Sequence, residues 1–220
     1  MINIQVSEEI KKNCPEFAGV AIFAKVTNST HSKGLWRQIG DEVARYKATY
    51  EMEDVKKNPA ILATRQIYKR LGKDPNRYRP SAEALCRRIV RELPLYQIDT
   101  LVDIINLVSI HTGYSIGGFD VDKIKGDTLI LGVGMPDEPY EGIGRGVLNI
   151  EGLPVYRDAK GGIGTPTSDH ERTKIDIGTT SFLALINGYS GKDGLPGAVA
   201  YMQSLLREYA GSDGGTVFYY

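Results

Sequence analysis

Three groups of residues in this chain have types and spacings that could do chemistry. Asp103 and Asn106 stand three apart in the otherwise apolar run LVDIINLV. In a helix they are neighbours on one face, and burying a carboxylate and an amide costs free energy unless both find partners. They either tie down an adjacent loop or wall a polar pocket. The triplet Asp169, His170, Glu171 brings acid, base and metal-ligand types together. In a strand Asp169 and Glu171 would share a face and His170 would point away, so without further ligands at recognisable spacing no metal is expected. The third group is a basic run of Arg65, Lys69, Arg70, Lys73, Arg77, Arg79, Arg87, Arg88 and Arg91, opposed only by Asp74 and Glu83. Tyr68 and Tyr78 lie among these cations. Arginines interleaved with aromatics suit a surface that tracks phosphates and stacks bases, while a solvated helix face is the plain alternative.

Other chemistries find no support. The glycine-rich GIGRG (Gly142 to Gly146) and KGGIGTP (Lys160 to Pro166) lack a nucleotide-loop pattern and read as hairpin turns. No G-x-S-x-G elbow is present, which argues against a serine hydrolase. Cys14 and Cys86 are far apart, so neither a zinc ribbon nor a disulfide scaffold is expected, and a reducing cytoplasm fits. A formal net charge of +0 leaves no global field to recruit nucleic acid, so any RNA contact must rest on a local patch. The opening MINIQVSEEIKKN is too polar for a signal peptide, and the apolar run FAGVAIFAKV is far short of the ~20 residues that span a bilayer. No membrane partner and no cofactor are expected.

The elements that must position these groups follow from periodicity and caps. Ser81 after Pro80 suits a helix start, with Ala84, Leu85, Ile89 and Leu93 on one face, Arg87, Arg88 and Arg91 toward solvent, and Pro94 as the stop. Asp99 or Thr100 caps a second helix whose face is Leu101, Ile104, Ile105 and Val108, and Gly113 closes it. Upstream, Ile2 to Val6 and Phe17 to Val26 read as strands around a short helical turn capped by Ser7. A long helix is expected from Gly34 to Lys57 with Leu35, Ile39, Val43, Tyr46 and Tyr50 as its stripe, and another after Pro59. Of 25 glycines, only Gly19, Gly34, Gly40 and Gly72 precede Gly113, which predicts a helical half (1–112) and a strand-rich half (113–220). Strands are expected at Thr128 to Gly132, Gly146 to Ile150, Leu153 to Arg157, Ile163 to Thr167, Ser181 to Ile186 and Thr216 to Tyr220, with a helix at Pro196 to Tyr209. The expected fold class is α/β (α+β): mixed, mostly antiparallel β layers packed with helices, as one domain over residues 1–220.

The run Leu101 to Asp120, LVDIINLVSIHTGYSIGGFD, resembles the editing and tRNA-binding module of the bacterial phenylalanyl-tRNA synthetase beta subunit, its third-and-fourth domain pair. In that family a V-D-x-x-N-x-V helix runs into G-x-P-x-H-A-F-D. Val102, Asp103, Asn106, Val108, Gly113, Gly117, Gly118, Phe119 and Asp120 stand at the matching positions, and Asp127 continues the pattern. DHERTKIDIGTT, from Asp169 to Thr180, is similar to the segment carrying the family's specificity glutamate, here Glu171. The likeness runs from Pro80 to Phe182, a domain-level match. A complete ligase is not expected, because the aminoacylation core has no counterpart in 220 residues.

The resemblance implies a freestanding relative that recognises aminoacyl-tRNA and acts as an aminoacyl-tRNA deacylase, an ester hydrolase working in trans. It implies Glu171 and Asn106 as catalytic residues and Asp103, Gly117, Gly118 and Glu171 as the substrate pocket, with Glu171 reading the para hydroxyl of a misattached tyrosine. It also implies phosphate contacts from Arg79, Arg87 and Arg88. The partners would be tRNA and an aromatic amino acid, and not DNA. One departure matters: the family's histidine position is Gly117, leaving only His111 and His170 near the motifs. Two other readings stay open, a non-catalytic RNA- or amino-acid-binding module that kept the fold, and a binder of free aromatic metabolites.

Overall fold

The computed structural model of the chain describes residues 2–220. Two apolar runs without polar alternation, AGVAIFAK and SFLALING, form the adjacent antiparallel strands β2 (Ala18–Lys25) and β9 (Ser181–Gly188). Such runs are stable as strands only where both faces are covered. The strands are the middle of an antiparallel sheet completed by β3 (Ile116–Asp120) beside β9 and β10 (Thr216–Tyr219) beside β2. One face, including Val20, Ile22, Phe182, Ala184 and Ile186, packs with α5 (Thr100–Thr112) and α6 (Leu195–Tyr209). The other, including Ala21, Leu183 and Leu185, packs with Leu129, Leu131, Tyr156 and Ile163 of a second sheet. That sheet has the order β1-β4-β7-β8, from β1 (Asn3–Val6), β4 (Thr128–Val133), β7 (Pro154–Asp158) and β8 (Gly161–Gly164). Helices, sheet and sheet therefore stack as three layers.

The mixed, mostly antiparallel α/β class is the one found, with the β1–β4 pair as its parallel exception. The division into a helical and a strand-rich half does not survive as a division of layers. β1 and β2 come from the first half and pair with β4 and β9 from the second.

Helix boundaries show where local signals compete with burial. α1 (Glu8–Asn13) is capped by Ser7 as expected. α2 (Lys33–Thr49) stops well before Lys57, because the Asp54 carboxylate accepts from the Glu51 N–H (2.9 Å) and closes a turn that drives Val55 into the interior. α3 (Pro59–Arg70) starts on Pro59 with Asn58 as its cap. In α4 (Ser81–Val90) the cap position is Pro80, and the Ser81 N–H instead reaches Pro166 O (2.8 Å). Its end also precedes Pro94: Glu92 adopts a left-handed φ of 59° and the Leu93 N–H returns to Arg88 O (3.0 Å). Leu93 is thereby left 47% exposed instead of joining the apolar face.

α5 holds the site. Asp99 caps it through the Val102 N–H (2.9 Å), and Gly113 ends it at φ 84°. Glycine is required at 113 twice over, since a Cβ there would also lie 2.2 Å from Asn58 Oδ1. α5 packs against α2, α4, α6 and β3, which explains why it is apolar nearly all round. The expected strand Gly146 to Ile150 shortens to β6 (Gly146–Val147), pairing with β5 (Glu141–Gly142) as a small hairpin. The expected strand Ile163 to Thr167 ends at Gly164. Thr165 Oγ1 accepts from the Thr167 and Ser168 N–H groups (3.2 and 3.1 Å) and turns the chain.

Candidate functional site

A cavity of about 360 Å³ opens beside α5. Val102, Ile105, Asn106 and Ser109 fall at i, i+3, i+4 and i+7 and form one wall of it. Alternation along β3 turns Ile116 and Gly118 to the same side. Leu85 of α4, Ile98, Ile175 and Ile143 at the β5–β6 turn extend the apolar lining, and Ser81, Thr165, Ser168, Asp169 and Lys174 add polar groups. The volume lies in the range of small-molecule sites, roughly 300–1,000 Å³, and the pattern of mostly apolar walls with a few polar groups is theirs too.

Gly118 keeps the cavity open. A Cβ there would stand 2.2 Å from Ile105 Cδ1 and 3.0 Å from Ile175 Cδ1, so any side chain would occupy the space. Gly117 is not part of the lining. A Cβ at 117 would meet the Phe119 ring at 2.8 Å and Asp169 Oδ1 at 3.4 Å. The space that a larger residue would claim at this position, where the resembled family has histidine, is therefore already bordered by Phe119 and the Asp169 carboxylate.

Asp169 is the residue that the sequence reading assigned no part in the pocket. Its Oδ2 accepts from the Gly118 N–H at 3.0 Å, the one contact that favours its charged form. Burial raises its carboxyl to about 7 against the pull of that N–H. The residue is half-buried and borders the cavity, so its desolvated carboxyl lies beside the space a small molecule would fill. A buried carboxylate without a cation accepts readily from a donor that a ligand supplies. The signal for it was the spacing D-x-E: strand alternation would put Asp169 and Glu171 together, but a 3₁₀ turn at Glu171–Thr173 breaks the alternation and turns Glu171 out.

Glu171, expected to read the ligand side chain, lies outside the lining. It accepts from Lys174 Nζ (2.5 Å) and from the Gly144 N–H (3.2 Å), which fastens the β5–β6 turn over the cavity mouth. The Lys174 ammonium holds its carboxyl below the usual range. Asp103, expected in the substrate pocket, turns to the other side of α5. Its oxygens accept from Trp36 Nε1 (2.7 Å) and the Ile98 N–H (3.2 Å), so it ties down the loop before α5. Desolvation pushes its carboxyl up, and those two donors counter only part of the rise. Asn106 borders the cavity itself.

The two histidines near the motifs lie elsewhere. His170 Nδ1 accepts from the Arg172 N–H (2.9 Å) with its ring against Tyr140, and burial lowers its pKa. His111 is exposed, 3.2 Å from Glu42 Oε1 and packed on Tyr201. Asp169, His170 and Glu171 thus point to three different places, and no group of three His, Cys, Asp or Glu among the described residues is placed to hold a metal.

The basic run is largely an internal network. Glu83, fully buried on α4, receives Arg65 Nη1 at 2.8 Å and Arg87 Nε at 2.8 Å, with Arg79 Nε at 3.8 Å. Arg87, expected to face solvent and phosphate, is drawn inward by that carboxylate. Arg79 Nε is itself buried without a hydrogen-bond partner. Arg88 stays at the surface region, donating to Pro94 O and lying 4.1 Å from the Tyr96 ring centroid. Among the described residues no helix is long and apolar enough to cross a membrane.

Comparison with known proteins agrees with the motifs. No curated protein sequence matches the chain. Among solved structures, the chain is similar to an N-terminal fragment of the phenylalanyl-tRNA synthetase beta subunit from Pyrococcus horikoshii, with a TM-score of 0.50 and 14% identity. The match covers 98% of this chain and 50% of that one, so the chain spans about half the length of the solved fragment, and the likeness is one of fold. Residues 63–193, more than half of the chain, match the B3/4 domain family and enclose α4, α5, β3, the hairpin and Asp169. The chain therefore belongs to the B3/4 domain family.

Proposed function

We propose that the cavity receives the amino acid of an aminoacyl-tRNA and that a mischarged one is hydrolysed there in trans. The observation that carries this reading is that Asn106 on α5 and Asp169 after β8 border one open-mouthed, mainly apolar cavity of about 360 Å³. The apolar walls take the side chain, aromatic ones included. Asp169, poised near neutrality, takes a proton from a water molecule as that water adds to the ester carbonyl. The Asn106 amide is the side-chain donor for the developing oxyanion. The bond from the carbonyl carbon to the ribose oxygen then breaks, and the proton passes from Asp169 to that oxygen. Free amino acid and tRNA with an intact 3′ hydroxyl leave. Glu171 and Lys174 hold the β5–β6 turn over the mouth and stand outside the reaction.

The test is deacylation of a panel of tRNAs mischarged with aromatic and aliphatic amino acids. Turnover of at least one is expected, with a loss of about 10²-fold or more in Asp169→Asn and retained turnover in Glu171→Ala. No turnover on any of them at stoichiometric protein ends the catalytic reading. Gly117 favours one second reading, a binding module without hydrolysis, because no imidazole stands at that position. Binding of aminoacyl-tRNA that weakens steeply with salt, in the absence of hydrolysis, selects it.

A further inference from the structure

The loop between α4 and α5, RELPLYQI, carries Leu93, Tyr96 and Ile98 in exposed positions, and Tyr96 at 66% exposure is the most open aromatic side chain among the described residues. Its ring is not loose. The Arg88 guanidinium covers one face at 4.1 Å and is itself fixed by donating to Pro94 O. Two residues on, Ile98 lines the cavity mouth, and its N–H is held at 3.2 Å by the buried Asp103 carboxylate. Tyr96 also shares a crevice of about 10 Å³ with Asn106, and Asn106 borders the main cavity as well. Tyr96 thus stands two residues from one lining residue of the cavity, Ile98, and beside another, Asn106.

We infer that Tyr96, backed by Arg88, is a stacking platform for the terminal base of the nucleotide whose acyl group enters the cavity. This rests on the reading of the cavity given above. An acyl ester places a ribose at the mouth, and the base attached to that ribose must lie a few ångströms away on the rim. An exposed ring pre-set in a held loop accepts a base with little further ordering. The guanidinium beneath it adds cation–π attraction and a positive charge beside the phosphodiester. The charge balance of the loop favours nucleic acid over a protein surface: Arg88 and Arg91 carry no carboxylate partner among the described residues, while Glu92 is neutralised by Lys47 at 2.7 Å.

The experiment uses an acceptor-stem minihelix ending in CCA and carrying an amide-linked, hydrolysis-resistant aromatic amino acid. A second minihelix lacks only the terminal adenine base. Tyr96→Ala is expected to weaken binding of the intact minihelix by about 5- to 100-fold, the worth of one base–aromatic stack. Tyr96→Phe and Tyr96→Trp should keep the affinity, and the abasic minihelix should bind wild type and Tyr96→Ala alike. If the intact minihelix binds wild type but is indifferent to Tyr96→Ala, or if the abasic one suffers the same loss, the platform is wrong while the cavity reading stands. If wild type binds neither minihelix, both fall.

Discussion

Asp169→Asn separates a residue kept for chemistry from one kept for structure. The amide preserves the shape and an acceptor for the Gly118 N–H while removing the ionisable group. Burial moves the carboxyl from 3.8 to about 7, about three pH units, and at 1.36 kcal/mol per unit this is an upper bound of about 4 kcal/mol against the ionised form. Asp169 is only half-buried as a residue, so we discount that bound to about half, about 2 kcal/mol. The sign is fixed by linkage. Between pH 4 and 7 the folded chain holds a proton that the unfolded chain has released, so this group's contribution to stability falls as pH rises through that window. Above pH 7 the whole penalty stands, and below pH 4 it vanishes. Asp169→Asn should therefore match wild type near pH 4, gain on it as pH rises, and be more stable at pH 8.5, by roughly 4–8 °C in Tm for a chain of this size. The same substitution should slow deacylation by about 10²-fold or more, the usual opposition of stability and function at a site. Thermal unfolding of both proteins from pH 5 to pH 8.5 decides it. An Asn variant less stable than wild type at pH 8.5, or a gap that does not change with pH, refutes the reasoning.

The Glu83 network and the cavity floor allow two more tests. Glu83→Gln leaves Arg65 and Arg87, both paired with that carboxylate at 2.8 Å, as uncompensated charges, with an expected loss of about 3–5 kcal/mol in urea unfolding. A loss below about 1 kcal/mol means that water already screens the cluster. Gly118→Ala drives a methyl into Ile105, 2.2 Å away, and should lower stability by about 1–3 kcal/mol and block ligand entry. Pairing it with Ile105→Val should recover part of both, and a Gly118→Ala protein with wild-type deacylation would show that the floor of the cavity is not where the amino acid sits.

Much of the frame was legible because its causes are local. The Ser7 and Asp99 caps, the Gly113 stop and the Pro59 start all act within a few residues of themselves. The strand read at Ser181 to Ile186 is β9, which runs two residues further, to Gly188. The readings that shifted share a different cause. Arg87 was assigned to solvent because its helical position faces away from the apolar stripe, yet a buried carboxylate one turn earlier recruits it. Asp103 and Asn106 are neighbours on α5, but one meets Trp36 of α2 and the other meets a cavity, and no spacing rule separates those outcomes. Asp169 and Glu171, expected on one face, part company because one short 3₁₀ turn at Glu171–Thr173 resets the direction of a side chain.

From its residues alone this chain declared most of its elements, its mostly antiparallel α/β class and its resemblance to the synthetase module, since caps, periodicity and a patterned helix-loop are properties of contiguous sequence. Only the tertiary structure decided which carboxylate faces the cavity, which arginines are consumed by a buried glutamate and which aromatic stands at the rim. Those are matters of through-space proximity and desolvation, set by segments that lie tens of residues apart.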